Sequence, residues 1–389
     1  MVRPATSARP SVEGRALTAL AELLISPLDR VRTALYARAT RVSLLRPVLL
    51  KKDRRIPALL LTHALLALVL ALLAPTFLLI VGPLLLGVPH LVSDIRQLVL
   101  RPALPRLARP LFLGGSAALL GARALNDSGL WRATYLEPAL ASALLLGAIA
   151  LALPGARALR AAVATLVALP LVGTALVWPR ESQLVLGHAH NVVALLLWAA
   201  LYARGTRSAV AVALAIVTAG AILALSPLAW FGFQYGVQSS FGLHSLAAAD
   251  ALAPGVVSTS LALGIVVSFA FLQSVHYAVW LHAIPQAATR GDASLTFGMS
   301  FRALRTDLGS AGLLVCVGLA LLVPCAGLMA PLFTKSLYLS LASFHGYLEL
   351  AAAALFFVRG KGPLENAPAP APGARSAPNE PGARSAPNE

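Results

Sequence analysis

Charge is scarce in this chain. Only 12% of the 389 residues are Asp, Glu, Lys or Arg, and 58% are hydrophobic. A soluble domain carries roughly twice that charge fraction, so a water-soluble globular fold is excluded. Cysteine is almost missing. Its two copies, Cys316 and Cys325, fall in one apolar stretch. They read as small core residues, which excludes a disulfide framework, a cysteine-rich cluster and a zinc ribbon. The alternating pattern of a membrane β-barrel is absent. The first 50 residues lack a basic, apolar and cleavage-site succession, so no cleaved signal peptide is expected.

What is present instead is a series of apolar runs, rich in Leu and Ala, each about the 20 residues that cross a bilayer as helix. Mean hydropathy is +0.79. The expected fold is all-α, a polytopic transmembrane bundle of about ten spans. The hydropathy pattern predicts spans near 56–74, 76–98, 110–125, 136–153, 161–178, 184–203, 209–229, 256–281, 308–330 and 337–358. The first two should form a hairpin pivoting at Ala74 and Pro75.

The formal charge of +16 would suggest nucleic acid in a soluble protein. Here the arginines lie between spans, so topology explains them and no nucleic-acid partner is expected. With Lys51, Lys52, Arg54 and Arg55 assigned to the cytoplasm, sixteen basic residues lie on that side. Four, Arg123, Arg132, Arg180 and Lys335, lie opposite. Both termini are therefore predicted cytoplasmic. Residues 1–50 form a basic arm with the pattern of an interfacial amphipathic helix. Residues 51–361 form the transmembrane domain. Residues 362–389, with "GARSAPNE" twice, form a low-complexity tail. The aromatic, Gly-rich stretch 230–255 is the longest outer loop, where Trp230 and Tyr235 suit a headgroup belt. Arg and Ala richness points to a GC-rich bacterial genome, hence a bacterial cytoplasmic membrane.

In so apolar a chain the polar residues inside spans carry the information, because intramembrane ionisable groups are functional by default. Of eight histidines, His63, His90, His188, His190, His276 and His345 fall within predicted spans. His282 falls at a span end and His244 in the outer loop. Asp94 and Glu349 are the only acids well inside spans. Each follows a histidine by four residues, His90 and His345. At that spacing a carboxylate shares a helix face with the imidazole, and can orient it or ligate beside it. Counting from span ends puts His63 and His90 at nearly one depth, with His276 somewhat nearer the cytoplasmic end of its span. His190 and His345 come roughly 8 Å further in. That is compatible with a dinuclear site, a single ion with a second histidine layer, or one ring. His188 and His190 diverge by about 200° on a regular helix, so only one should face a given ion unless Gly187 unwinds it. Gln273, Ser274, Tyr277, Asn191 and Tyr347 accompany the histidines as candidate hydrogen-bonding or substrate-lining groups. Gly87, Val88 and Pro89 are expected to kink the helix before His90.

Imidazoles converging from several helices suit iron, copper or zinc. The candidate ligands are His63, His90, His190, His276 and His345, with His188 as a further member; Asp94, Glu349 and Tyr277 are the candidate catalytic residues.

The stretch "GVPHLVSD" resembles the G-x-P-H-G-x-x-D signature of the Brp/Blh family of membrane-bound carotene dioxygenases. His90 matches the family's histidine and Asp94 its acid, while Leu91 stands where the second glycine would be. "FLQSVHYAVWLHAIP" is similar to the family's late histidine-bearing span. The resemblance implies an all-helical membrane enzyme with a non-haem Fe(II) held by histidines from several spans, and oxidative cleavage of a carotenoid. "GHAHN" has a fainter likeness to histidine-bearing helices of haem–copper or NnrS-like membrane proteins. The sequence therefore leads to an iron-dependent membrane oxygenase acting on a lipid-soluble substrate such as a carotenoid or isoprenoid. A haem or copper electron carrier and a proton or metal-ion transporter stand as alternatives.

Overall fold

A computed structural model describes residues 12–129, 134–289, 291–292 and 294–363, with side chains from residue 23 onward. Arg132, Arg290, the first residues of the basic arm and the "GARSAPNE" repeats lie outside the described residues.

The fold is all-α, as an apolar chain requires: in hydrocarbon every backbone N–H and C=O must be satisfied internally, and a helix does this within one segment. The helices are α1 (Val12–Ala39), α2 (Arg46–Leu49), α3 (Lys52–Leu73), α4 (Pro75–Ile95), α5 (Ala108–Asp127) and α6 (Leu136–Ala152). Then come α7 (Ala158–Val177), α8 (Pro179–Leu197), α9 (Arg207–Leu225), α10 (Leu228–Tyr235), α11 (Ser245–Leu252) and α12 (Thr259–Ala278). The chain ends with α13 (Ile284–Ala287), α14 (Phe297–Met329), α15 (Pro331–Ala342) and α16 (Phe344–Arg359). Among the described residues, 8 segments are long and apolar enough to cross a membrane, and α6 is a shorter apolar helix. The chain is built as an integral membrane protein.

Proline sets three of the helix starts. Ala74, Trp178 and Ala330 each precede a proline and adopt extended φ of −151°, −126° and −144°. A residue before proline is pushed out of the helical region, and proline itself fits the first helical turn. The α3–α4 hairpin thus turns at Ala74 and Pro75, as expected.

α12 is the most enclosed of the long segments, packed against α3, α4, α8, α9, α10 and α11. α7 and α14 are peripheral. α14 is two helices meeting at a kink, because Gly309 at φ 71°, ψ 174° breaks it. Only the second piece matches the span expected over 308–330. The expected span 337–358 falls within one long apolar segment, Pro331–Arg359, in which α15 and α16 meet at Ser343 with helical φ and ψ. The cysteines are not core residues: Cys316 is half-buried and Cys325 exposed on the outward-facing α14. The expected outer loop has structure of its own. α10 and α11 flank a two-residue hairpin pairing Ser239–Ser240 with Leu243–His244. α10 lies so close to the end of α3 that a Cβ on Gly232 would stand 2.2 Å from the Leu72 carbonyl oxygen. Trp230 and Tyr235 are exposed there, as a headgroup belt requires.

Candidate metal centre

Four helices each contribute one histidine to one cluster of rings: His90 from α4, His190 from α8, His276 from α12 and His345 from α16. Five of the six ring pairs have centroids 4.9–5.8 Å apart: His190–His276 at 4.9 Å, His90–His345 and His190–His345 at 5.0 Å, His90–His276 at 5.3 Å, His276–His345 at 5.8 Å. With metal–nitrogen bonds of about 2.1 Å and near-tetrahedral angles, ring centres would lie roughly 5 Å apart. The ligand atoms of His90, His276 and His345 all lie within 4.8 Å of one another.

Local helix geometry fixes which nitrogen faces the centre. His90 donates its Nδ1–H to the Leu86 carbonyl at 3.3 Å, and His190 donates to Leu186 at 3.1 Å. His345 donates to Ala342, the last residue of α15. A carbonyl only accepts, so Nδ1 carries the proton in all three rings and Nε2 carries the lone pair. Among the described residues, Nε2 of His90 and His345 and both nitrogens of His276 are buried without a hydrogen-bond partner. A second hydrogen bond that locks ring and tautomer is the usual support of a ligating histidine.

The acids occupy a second layer one helical turn on. Asp94 follows His90, Glu349 follows His345, and both are fully enclosed. Neither orients the histidine four residues before it, because those Nδ1–H groups are already given to the backbone. The acid–imidazole approach that does occur is between helices: His276 Nε2 lies 3.8 Å from Glu349 Oε1. Glu349 Oε1 also accepts from the indole of Trp280 at 2.8 Å. Glu349 Oε2 and both oxygens of Asp94 have no partner among the described residues. Asp94, His345 and Glu349 form a second group whose ligand atoms lie within 4.8 Å of one another.

A third layer closes the arginine-rich side. The helices bearing His90, His190 and His276 each pass into a five-residue π-helical segment there: Arg96–Leu100, Trp198–Tyr202 and Val279–Ala283. Such bulges are rare and concentrate at functional sites. Tyr202 donates its hydroxyl to the Gln97 carbonyl at 2.9 Å, and Ser93 donates to the Trp280 carbonyl at 2.6 Å. Trp198 and Trp280 are fully buried. Beyond them Asp307 of α14 pairs with Arg96 and, at 2.8 Å, with Arg101.

Two aromatic hydroxyl side chains border the histidines. The Tyr277 ring lies 4.8 Å from His90. The Tyr338 ring presses on Gly87, one turn before His90, so that a Cβ there would stand 2.4 Å from it. α4 runs as helix through Gly87, Val88 and Pro89, with Pro83 and Pro89 both inside it.

The remaining candidates lie elsewhere. His63 stacks on His282 at 5.7 Å and donates to Leu59, apart from the four-histidine cluster. His188 points away from His190, donates to the Leu252 carbonyl at 2.9 Å and packs on Phe269. α8 is regular through Gly187, so the two rings take opposite faces. His244 caps α11 by accepting from Leu246 N. Ser274 and Asn191 bond to carbonyls of their own helices, and Tyr347 bonds to Glu137, itself paired with Arg123 at 2.8 Å. Gln273 is buried on α12. Sequence reasoning passed over Trp198, Trp280, Ser93, Tyr202 and Tyr338. Only Trp280 carried a signal, standing two residues before His282 in the histidine-bearing run.

No family model matches the chain, and no characterised protein or solved structure matches it.

Proposed function

We propose that this protein is an intramembrane metalloenzyme whose centre is a non-haem iron held by His90, His190, His276 and His345, and that it oxidises a lipid-soluble substrate with dioxygen. The observation that carries the reading is the clustering of four imidazoles from four helices, three with Nδ1–H spent on the backbone and with Nε2 of His90, His276 and His345 buried and unpartnered. Neutral imidazole with carboxylate nearby suits iron. When bound, the iron would supply dioxygen binding and one-electron chemistry that no side chain here provides. The chain's own groups do the rest. The backbone carbonyls of Leu86, Leu186 and Ala342 hold three rings in orientation. Trp280 holds Glu349 against His276. The tryptophan layer excludes water from the arginine-rich side. Asp94 and Glu349 add negative charge that offsets a divalent ion in a low-dielectric site. Tyr277, against His90, is positioned to donate a hydrogen bond or a proton at the edge of the cluster.

His190 is half-buried, whereas His90, His276 and His345 are buried. Substrate would therefore approach along α8. Four rings packed edge to face leave no slab for a porphyrin between an axial pair, which favours non-haem iron over haem. His90 and Asp94, which carry the likeness to carotene dioxygenases, both lie in the centre, so a carotenoid or related isoprenoid is the first substrate class to assay.

The test is iron content and an optical spectrum on detergent-purified, anaerobically handled protein, followed by carotenoid turnover under air. Iron without a Soret band, and oxygen-dependent loss of carotenoid absorbance, is expected. A Soret band or a metal-free protein that cannot be loaded with Fe(II) would overturn the reading.

A further inference from the structure

The four histidines account for one ion, yet a second set of ligand atoms lies beside them. Asp94, Glu349 and His345 place one oxygen, one oxygen and one nitrogen within 4.8 Å of one another. Asp94 and Glu349 are completely enclosed, and His345 is 9% exposed. Three of the four carboxylate oxygens, and His345 Nε2, are buried with no hydrogen-bond partner among the described residues. Two carboxylates removed from water side by side need cations or donors, and one indole N–H is all that the described residues give them. The guanidinium groups on this side do not reach them: Arg96 and Arg101 are bound to Asp307.

His345 belongs to both sets, but its Nδ1–H is given to Ala342, which leaves one nitrogen to ligate. It can serve only one ion. If it serves the acids, Asp94, Glu349 and His345 make the second position, and His90 and His276 remain for the first ion, with the His190 ring 4.9 Å from that of His276. The second position then has three protein ligands and keeps places open. Glu349 stands between them, with Oε1 3.8 Å from His276 Nε2 and Oε2 free.

We propose that Asp94, Glu349 and His345 form a second cation position beside the histidine-held one, so that the centre is dinuclear. This rests on the metal-centre reading above, with His345 moved from the first ion to the second. Oxygen donors mixed with one imidazole suit a divalent first-row ion such as Fe(II), Mn(II) or Zn(II).

The experiment is metal counting on the full-length protein in detergent. Apoprotein is loaded anaerobically with excess Fe(II), desalted, and assayed for iron per chain. Asp94→Asn and Glu349→Gln are treated alike, with thermal unfolding as the control for folding. Two irons per chain in the wild type, falling to one in Asp94→Asn, is expected. Mössbauer or EPR spectra of the half-oxidised wild type should then show coupled irons, and the variant an isolated one. One iron in both wild type and Asp94→Asn would overturn the second position and leave the histidine-held ion standing. No iron in the wild type would overturn both. Should the variants fail to fold, the wild-type count and its spectrum alone decide.

Discussion

Trp280 donates its indole N–H to Glu349 at 2.8 Å, joining residues 69 positions apart in the chain. This is the sole hydrogen bond to either buried carboxylate among the described residues. Trp280→Phe keeps the ring and removes the donor. A buried hydrogen bond to a charged group contributes about 1.5–3 kcal/mol. The variant should unfold at lower temperature in detergent and bind metal about 10–100-fold more weakly, as loss of a ligand's supporting partner does. Unchanged metal affinity would show that Glu349 is held by something else.

The separation of the two histidine groups makes a direct comparison. His90→Ala or His276→Ala should remove the histidine-held ion while the bundle still elutes as a folded species. His63→Ala and His282→Ala should leave metal content unchanged, because their stacked pair stands apart from the cluster. Metal analysis of the four variants, prepared in parallel, checks both halves.

Gly87 permits the close approach of α4 and α15. A Cβ at this position would lie 2.4 Å from the Tyr338 ring, well inside van der Waals contact. Overpacking of this kind costs about 1–3 kcal/mol. Gly87→Ala should therefore be destabilised and show weakened metal binding through His90. Tyr338→Phe should not rescue it, since the ring makes the contact, whereas Tyr338→Ala should restore much of the stability. Thermal melts of the single and double variants measure this.

About one helical turn before His190, at Gly187, there is room. A Cβ added at Gly187 meets nothing within 4 Å. Gly187→Phe would fill the approach along α8 without touching the metal-facing nitrogens. Metal content should stay at the wild-type level while kcat/KM for a carotenoid falls about 10–100-fold, the scale of a small misplacement of substrate. Loss of metal would place the obstruction in the ligand set instead.

The basic arm is tied to α14 by Asp29, which accepts from Phe297 N at 2.7 Å and Gly298 N at 2.9 Å. Burial alone would raise this carboxyl. The two amides, Thr296 and Arg32 outweigh it and hold it below its ordinary value of 3.8. A carboxyl depressed on folding contributes stability above its unfolded pKa and loses it as pH falls through the folded one. The docking of α1 should thus be constant from neutral pH to about pH 5 and weaken below pH 4. Asp29→Ala should undock it at every pH. Amide exchange at Phe297 and Gly298 reports both effects.

Much of the fold was legible because it depends on local chemistry. Apolar runs of bilayer length dictate helices, and X-Pro steps at Ala74, Trp178 and Ala330 dictate where they begin. The arrival of His90, His190, His276 and His345 in the centre also began as a local signal, since imidazoles and two acids stood where hydrocarbon should be. What a single sequence does not carry is helix tilt, rotation and long-range contact. Counting residues from a span end put His90 and His345 at different depths, but helices tilt in a bilayer and a count ignores this. The rings meet 5.0 Å apart. The same count grouped His63 with His90, although α3 turns its ring toward His282. The i, i+4 spacing correctly put each acid on its histidine's face. It could not reveal that a backbone carbonyl takes each Nδ1–H and frees the carboxylates for another partner. The sequence alone thus determined which side chains are too polar for their surroundings. Only the packing of α4, α8, α12 and α16 decided which of them share a point in space, because that depends on contacts between residues hundreds of positions apart.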